Sequence, residues 1–294
     1  MESLPITKYD FAKQFREHGT MAVIARRGSG KSVFLIDLLY HLRNRFDFGI
    51  AFTTTTPMAQ ELAKYMPRAC IFQDFNVDRI KTLMDQQEIF IARGKPRNMF
   101  LLLDDCGFDT KSLNSLPMKE LFMNGRHKRI TFMCALQSPY SLKPDMRQQI
   151  DTVVALREYQ IANRRRLYEA FFGVVSSWHD FERLFTAFTD DYSALIVDQT
   201  KQTPDLTKVL FHYKAIQNPE PFVCISKVYI KIWEQVKKSQ TEVNRLREHK
   251  VEEERKRKFA EGARQRGEKI RQQHTAIPAN NGDPNARIVQ TSVK

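Results

Sequence analysis

Residues 21–32 constrain the possible fold more than any other part of the chain. They read Met-Ala-Val-Ile-Ala-Arg-Arg-Gly-Ser-Gly-Lys-Ser, an apolar run that passes directly into a glycine-rich turn. Apolar residues at helical spacing follow, from about Ser32 to Phe46. A buried strand, a glycine turn and a helix in this order direct backbone N–H groups at an anion, because the turn and the helix N-terminus face the same point. The segment therefore predicts an α/β fold with a polyphosphate site.

The polar residues of this loop fit a Walker A motif. Lys31 would place a positive charge against the phosphates, and Ser32 would offer a hydroxyl oxygen to Mg²⁺. The full pattern G-x-x-x-x-G-K-[ST] has glycine where this chain has Ala25, which is the smallest possible departure. The alternative is a plain Gly-Ser turn, which does not explain why the strand, glycines, lysine and serine fall in register. We therefore expect ATP and Mg²⁺ at this loop, and the residues expected to hold them are Arg27, Gly28, Ser29, Gly30, Lys31 and Ser32.

A second apolar run ends in two carboxylates and has the character of a Walker B motif. Residues 99–105 read Met-Phe-Leu-Leu-Leu-Asp-Asp, a pattern typical of a buried parallel strand. At the end of such a strand Asp104 would hold the Mg²⁺ shell, and Asp105 would be the base that polarises the attacking water. Taken alone, an Asp-Asp pair is more often a loop or a helix cap. The phosphate-binding loop upstream favours the functional interpretation, although many related enzymes use Glu for the base.

Three further residues complete the predicted catalytic set. Gln137 follows the strand predicted at residues 130–136, where an amide can contact the γ-phosphate or the attacking water. A basic turn, Asn-Gly-Arg-His-Lys-Arg at residues 124–129, precedes that strand. Arg126 in this turn is the first candidate for an arginine finger, a residue supplied in trans by a neighbouring subunit to stabilise charge during phosphoryl transfer, and Arg147 is the second. The alternatives are a capping role for Gln137 and a solvated or DNA-facing position for both arginines.

Charge and composition narrow the class of partner. Forty-seven Lys and Arg against 34 Asp and Glu give a formal net charge of +13, which favours polyanions such as nucleic acid. No stretch approaches the run of about 20 apolar residues that spans a membrane, and the N-terminal residues lack the pattern of a secretory signal. The four cysteines are scattered and predict reduced thiols rather than a metal site. Cys106 adjoins the predicted carboxylates, where alkylation would affect the site, but core packing is the alternative we favour.

Strands alternate with helices along the chain, which predicts a mainly parallel sheet flanked by helices, with the site at the carboxyl ends of the strands. One helix is expected at Lys111–Gly125, a helical stretch at Glu158–Phe188, and a final hairpin from Tyr192–Asp198 and Lys208–Tyr213. The expected domains are a P-loop ATPase domain at 1–235, with its motifs at 25–157 and a helical and hairpin extension at 158–235, then a basic charged helix at 236–273 and a disordered tail at 274–294.

Taken together, these motifs resemble those of a known family. The sequences Arg-Gly-Ser-Gly-Lys-Ser at 27–32, Leu-Leu-Leu-Asp-Asp at 101–105, Asn-Gly-Arg-His at 124–127 and the later Gln137 occur in this order and spacing. The chain resembles the genome-packaging ATPases of large double-stranded DNA viruses, the poxvirus-type branch of the FtsK–HerA superfamily. The resemblance covers about residues 20–215 and leaves the C-terminal tail unmatched.

The resemblance implies a RecA-like ATPase and DNA translocase that assembles as a homo-oligomeric ring, a pentamer or hexamer. Such a ring pumps double-stranded DNA into a preformed capsid, with a capsid or portal component as a further partner. The implied location is the host cell cytoplasm, at the viral factory, with association with the virion. By the same analogy Arg126 acts across the subunit interface. Two alternatives remain: a P-loop ATPase that remodels a protein assembly without moving DNA, and, with less support, a small-molecule kinase.

Overall fold

The computed structural model describes residues 6–237, 247–249, 251–256, 258–259 and 261–262. The chain divides into two compact units, residues 1–233 and residues 234–294. The first unit contains the whole sheet and both predicted motifs. In the second unit the described residues are helical, and side chains four residues apart form ion pairs, such as Lys256 with Glu252 at 3.0 Å. The predicted helix at 236–273 is only partly covered, and the tail predicted as disordered at 274–294 lies outside the described residues.

A nine-stranded sheet forms the centre of the first unit. Its strands are β1 (Thr7–Lys8), β2 (Thr20–Ile24), β3 (Phe48–Thr53), β4 (Ile71–Phe72), β5 (Met99–Asp104), β6 (Ile130–Leu136), β7 (Thr152–Ala155), β8 (Ser193–Asp198) and β9 (Leu210–Lys214). Their spatial order is β1-β9-β8-β7-β2-β6-β5-β3-β4. Only β8 runs antiparallel to its neighbours, β7 and β9, and every other pair is parallel. The predicted mainly parallel α/β architecture is confirmed.

Helices connect the strands and cover both faces of the sheet. They are α1 (Phe11–Gln14), α2 (Lys31–Leu42), α3 (Thr56–Leu62), α4 (Val77–Ala92), α5 (Thr110–Leu113), α6 (Leu116–Asn124), α7 (Pro144–Arg147), α8 (Ile161–Phe171), α9 (Trp178–Phe188) and α10 (Leu206–Val209), and residues 227–233 are also helical. Several begin at caps that the sequence provides: the Asn76 side chain accepts from the backbone N–H of Asp78 at 2.9 Å at the start of α4.

Two apolar layers enclose the sheet, one on each face. Alternate residues of β2 divide between them, so Met21 and Val23 pack with α2 on one face while Ala22 and Ile24 pack on the other. All five residues of β2 are buried. A strand buried on both faces reads as a continuous apolar run rather than an alternating one, which is why the sequence pattern predicted its position.

Two segments that were predicted to be helical each contain a break between two helices. The helix predicted at Lys111–Gly125 is divided into α5 and α6, because Pro117 lies in the first turn of α6, and a proline is tolerated there but not inside a helix. The helical stretch predicted at Glu158–Phe188 is divided into α8 and α9. There the Ser177 side chain accepts from the backbone N–H of Asp180 at 3.1 Å and starts a new helix.

The far side of the sheet contains one predicted and one unpredicted feature. The final hairpin exists, with β8 antiparallel to β9 in a register that places Ile196 opposite Phe211. The unpredicted feature is β1, which the N-terminal residues contribute and which pairs in parallel with β9. A two-residue strand is too short to show an apolar period, so it could not be read from the sequence.

Candidate nucleotide site

The phosphate-binding loop lies between the carboxyl end of β2 and the start of α2. Gly28 and Gly30 have φ angles of 81° and 91°, a region that glycine adopts without the strain a side chain would cause. Gly30 is the N-cap of α2, so Lys31 and Ser32 stand in the first turn, where backbone N–H groups are free of helical partners. The loop therefore presents donors and a helix dipole to the same point.

Ala25, the departure from the Walker A pattern, has a structural explanation. Its backbone N–H donates to the carbonyl of Leu136 at 2.9 Å, and its side chain is buried. The residue extends the β2–β6 ladder, and its φ is not among the positive values. Glycine is not required at a position of this kind, so alanine preserves the loop.

The ammonium of Lys31 lies between the two predicted carboxylates. Its Nζ is 3.0 Å from Asp104 Oδ1 and 3.7 Å from Asp105 Oδ1. Asp104 is 2% exposed and Lys31 is 14% exposed, so the closer pair is largely shielded from water. These residues are more than 70 positions apart in the chain, and the β2-β6-β5 order of parallel strands brings them to one edge. The structure thus joins the two motifs.

Asp104 has the surroundings of a metal-binding carboxylate. Its Oδ2 accepts a hydrogen bond from Thr53 Oγ1 at 3.0 Å, whereas its buried Oδ1 accepts no hydrogen bond from the described residues and lies 3.0 Å from the Lys31 ammonium. A buried carboxylate oxygen with lone pairs to spare fits a hard cation. The described residues contain no group of three or more His, Cys, Asp or Glu side chains arranged to hold a metal. Mg²⁺ takes few protein ligands and completes its shell with phosphates and water.

Asp105 adopts an unusual backbone conformation and contacts Gln137. Its φ of 57° and ψ of 29° place it in the left-handed region, which is uncommon for residues other than glycine and occurs often at functional sites. Gln137 Nε2 donates to Asp105 Oδ1 at 2.7 Å. The predicted base and the predicted sensor are therefore one hydrogen-bonded pair, with the amide orienting the carboxylate.

A cavity of about 740 Å³ contains this arrangement. This volume is typical of sites for small molecules. Its walls come from the phosphate-binding loop, the ends of β5 and β6, and the hairpin. They include the predicted residues Arg27, Gly28, Gly30, Lys31, Ser32, Asp104, Asp105 and Gln137.

Sequence reasoning missed several residues of this site. The Thr53 hydroxyl donates to one oxygen of Asp104. Thr53 follows the apolar run Phe-Gly-Ile-Ala-Phe at 48–52, so its place at the carboxyl end of a strand was a usable signal. Tyr192, Lys214, Ala215 and Gln217 line the cavity from the hairpin. The sequence contained no signal for these four, because their position depends on the antiparallel return of β8 beside β7.

The two arginine-finger candidates, Arg126 and Arg147, are not among the residues that line the cavity of this chain. Arg126 is exposed in the turn before β6, at the amino edge of the sheet. The seven residues of β6 separate it from Gln137, a distance of roughly 20 Å or more. Arg147 ends α7 and stacks over the Tyr140 ring at 4.9 Å. Neither lines the cavity described above, and a role in trans stays a prediction.

The environment of Cys106 fits the favoured expectation of core packing rather than sensitivity to alkylation. The side chain is buried with no exposed surface, and this burial, together with the nearby Asp104 carboxylate, raises the pKa of the thiol to about 12. Since the thiolate is the reactive form, Cys106 remains a neutral core thiol at ordinary pH.

Comparison with known proteins places the chain among viral proteins. It is 31% identical over 195 residues to protein 088R of Invertebrate iridescent virus 3, which covers 66% of this chain and 74% of that protein. It is 27% identical over 206 residues to protein L437 of Acanthamoeba polyphaga mimivirus, covering 67% of this chain and 72% of that protein.

The fold is similar to that of a solved viral structure, and a family model matches the sequence. The genome packaging NTPase B204 from Sulfolobus turreted icosahedral virus 2, in complex with ATP-γS, superposes with a TM-score of 0.51 at 17% identity, covering 68% of this chain and 99% of B204. The model of the Poxvirus A32 protein matches residues 6–162, which include both motifs and Gln137. The chain therefore belongs to the Poxvirus A32 protein family.

Proposed function

We propose that this chain is an ATPase that hydrolyses ATP to move double-stranded viral DNA into a preformed capsid. The observation that carries the proposal is the contact set of Lys31, Asp104, Asp105 and Gln137 at the carboxyl ends of parallel strands. Membership of the A32 family supports it. The shared fold with the packaging NTPase B204, which was solved with an ATP analogue bound, gives further support.

Three side chains, Lys31, Asp105 and Gln137, have separate roles in hydrolysis at this site. Lys31 and the first turn of α2 hold the β- and γ-phosphates, and Lys31 stabilises the charge that grows on the γ-phosphoryl oxygens. Asp105 accepts a proton from the water whose oxygen attacks the γ-phosphorus, while the bond to the bridging oxygen breaks and ADP leaves. Gln137 keeps the Asp105 carboxylate aimed at that water through its 2.7 Å hydrogen bond.

Ser32 and Asp104 are the residues that would hold Mg²⁺. When bound, the ion neutralises charge on the β- and γ-phosphate oxygens. Asp104 Oδ1, which is paired with the Lys31 ammonium but accepts no hydrogen bond from the described residues, and the exposed Ser32 hydroxyl would supply two oxygen ligands. Thr53 fixes the other Asp104 oxygen, so the free one keeps a defined direction.

Assembly and partners extend the proposal. A homo-oligomeric ring, pentameric or hexameric, would bring Arg126 or Arg147 of one subunit to the cavity of the next, since neither reaches its own. The formal charge of +13 suits DNA as the translocated polymer. A capsid or portal component would receive that DNA in the host cell cytoplasm. None of the described helices is both long and apolar enough to cross a bilayer.

The test is steady-state ATP hydrolysis with and without long double-stranded DNA, at two salt concentrations. We expect stimulation by DNA that weakens at the higher salt, because phosphate contacts release counterions. Lys31→Ala should abolish the activity, and Lys64→Ala, which removes an exposed lysine paired with Glu61, should not. Hydrolysis that DNA leaves unchanged would contradict the packaging role, and stimulation by a capsid protein instead would identify a remodelling ATPase.

A further inference from the structure

The nucleotide cavity is lined on the two sides of β2 by residues of different chemistry. Asp104, Asp105 and Gln137 lie at the ends of β5 and β6, on one side of β2, whereas Tyr192 and the residues just after β9 lie on the other side. This second group consists of an exposed aromatic ring, the small apolar side chain of Ala215 and the amide of Gln217. A volume of about 740 Å³ accommodates a whole nucleotide. With the phosphates at the start of α2, we expect the base to extend toward this second group.

The turn that carries Tyr192 has an uncommon backbone conformation and is fixed by neighbouring contacts. Asp191 and Tyr192 have φ angles of 48° and 58°, two consecutive residues in the left-handed region. The Asp191 carboxylate pairs with the Lys214 ammonium, which ties the turn to the end of β9. The ring lies against the phosphate-binding loop, since a Cβ on Gly30 would be 3.1 Å from Tyr192 Cδ1. It nevertheless keeps 61% of its surface exposed, so a face remains free for stacking.

The segment that carries Ala215 and Gln217 is anchored at both ends. On one side Tyr213 Oη donates to Asp37 Oδ2 at 2.6 Å, and Asp37 is a buried residue of α2. On the other side the Phe222 ring stacks on Tyr65 with centroids 4.4 Å apart. The segment is therefore positioned relative to the same helix whose first turn binds phosphate.

We propose that Tyr192, Ala215 and Gln217 form the base subsite for adenine. The inference rests on the proposed ATP binding and specifies how the nucleotide is oriented. Tyr192 stacks on the purine ring, and Ala215 packs against it. The Gln217 amide pairs with the adenine edge, because its oxygen accepts from the N6 amino group and its nitrogen donates to a ring nitrogen.

The first experiment separates the base from the phosphates. Full-length chain is titrated with a fluorescent ATP analogue, which is then displaced by ATP or by inorganic tripolyphosphate. Tyr192→Ala should weaken displacement by ATP about tenfold, the usual range for loss of one aromatic stacking partner, and leave tripolyphosphate unchanged. Tyr159→Ala is the matched control, because Tyr159 is an exposed tyrosine, 71% exposed, that is not among the residues lining the nucleotide cavity. It should alter neither affinity.

The second experiment addresses the choice of base. Gln217→Glu replaces an amide, which donates and accepts, by a carboxylate, which only accepts. Guanine presents two donors on its edge, N1–H and the N2 amino group, so the carboxylate suits guanine better than adenine. The ratio of ATP to GTP affinity should fall at least about fivefold, in line with one bidentate base contact. Tripolyphosphate should again displace the probe as it does from the parent.

Three results would overturn the inference. The first is that Tyr192→Ala weakens the binding of ATP and of tripolyphosphate equally, and the second is that Tyr159→Ala loses ATP affinity while Tyr192→Ala does not. The third is that the ratio of ATP affinity to GTP affinity is unchanged in Gln217→Glu. Failure of the proposed function looks different. In that case the parent chain does not bind the ATP analogue, or Lys31→Ala binds it equally well.

Discussion

Basic residues at the two edges of the sheet differ in their exposure and in their ion-pair partners. At the carboxyl edge Lys31 is 14% exposed and lies between two carboxylates inside a cavity. At the amino edge Arg126 is exposed and forms no ion pair with any residue in the described part of the chain. We therefore expect Lys31, which is held between two carboxylates, to serve the cavity of its own chain. An exposed cation without a carboxylate partner is available to another molecule, whether a second subunit or DNA.

Removing the cation of the carboxyl edge should have the largest effect. Lys31→Ala takes away the charge that faces the phosphates, and we expect weak ATP binding and turnover below about a thousandth of the parent. Nucleotide titration and phosphate release measure the two losses separately. Thermal unfolding of the same sample checks that the buried Asp104 carboxylate, left without its counterion, has not unfolded the chain. A folded variant that still hydrolyses ATP would remove Lys31 from the site.

Removing the cation of the amino edge should leave ATP binding intact. If Arg126 acts in trans, Arg126→Ala should lower turnover roughly a thousandfold, the usual scale for an arginine finger. The affinity for ATP should stay the same as in the parent. His127→Ala, in the same exposed turn, is the control.

Mixing subunits tests the direction of this effect. Arg126→Ala subunits retain Asp105, and Asp105→Asn subunits retain Arg126, so a mixed ring contains some complete sites. We expect partial recovery of hydrolysis on mixing. Absence of recovery would favour a DNA contact for Arg126, and a loss of DNA affinity in Arg126→Ala measured at low salt would identify it.

Asp105→Asn should separate binding from hydrolysis at the carboxyl edge. Asparagine tolerates the left-handed conformation of residue 105, so the change removes the base without straining the backbone. We expect ATP to bind as in the parent and to be hydrolysed roughly a hundredfold more slowly, the scale of general-base catalysis. Single-turnover measurements with bound ATP provide the rate. Equal rates for the variant and the parent would mean that another group activates the water.

The smallest expected effect concerns the support of Asp104. Thr53→Val removes the buried hydroxyl that donates to Asp104 Oδ2, and the unsatisfied carboxylate oxygen should cost roughly 1–3 kcal/mol of stability. Mg²⁺-dependent ATP binding should weaken modestly as Asp104 loses its orientation. Thr53→Ser keeps the hydroxyl and should restore both properties. Chemical unfolding and a Mg²⁺ titration of ATP binding measure them, and identical results for Val and Ser would show that the hydroxyl has no role.

Prediction from the sequence succeeded where a short run of residues meets a local physical requirement of the structure. The runs at 21–25 and 99–104 are apolar because strands buried on both faces require it, and glycines 28 and 30 are needed for the turn that follows. The sequence pattern did not reveal the helix breaks at Pro117 and Ser177, where one residue restarts a helix within a pattern that otherwise stays apolar at helical spacing. A local cap outweighs periodicity at such points.

The amino-acid sequence by itself determined the phosphate-binding loop, the carboxylate pair and the alternation of strands and helices, since each depends on neighbouring residues. Only the tertiary structure decided which distant residues meet. It joined Gln137 to Asp105 and Thr53 to Asp104 because parallel strands align their carboxyl ends, and it brought Tyr192 to the phosphate-binding loop because β8 returns antiparallel beside β7. It also separated Arg126 from the cavity by the length of β6, although only ten residues lie between Arg126 and Gln137 in the chain. Strand order and direction set these distances, and neither is encoded in any one segment.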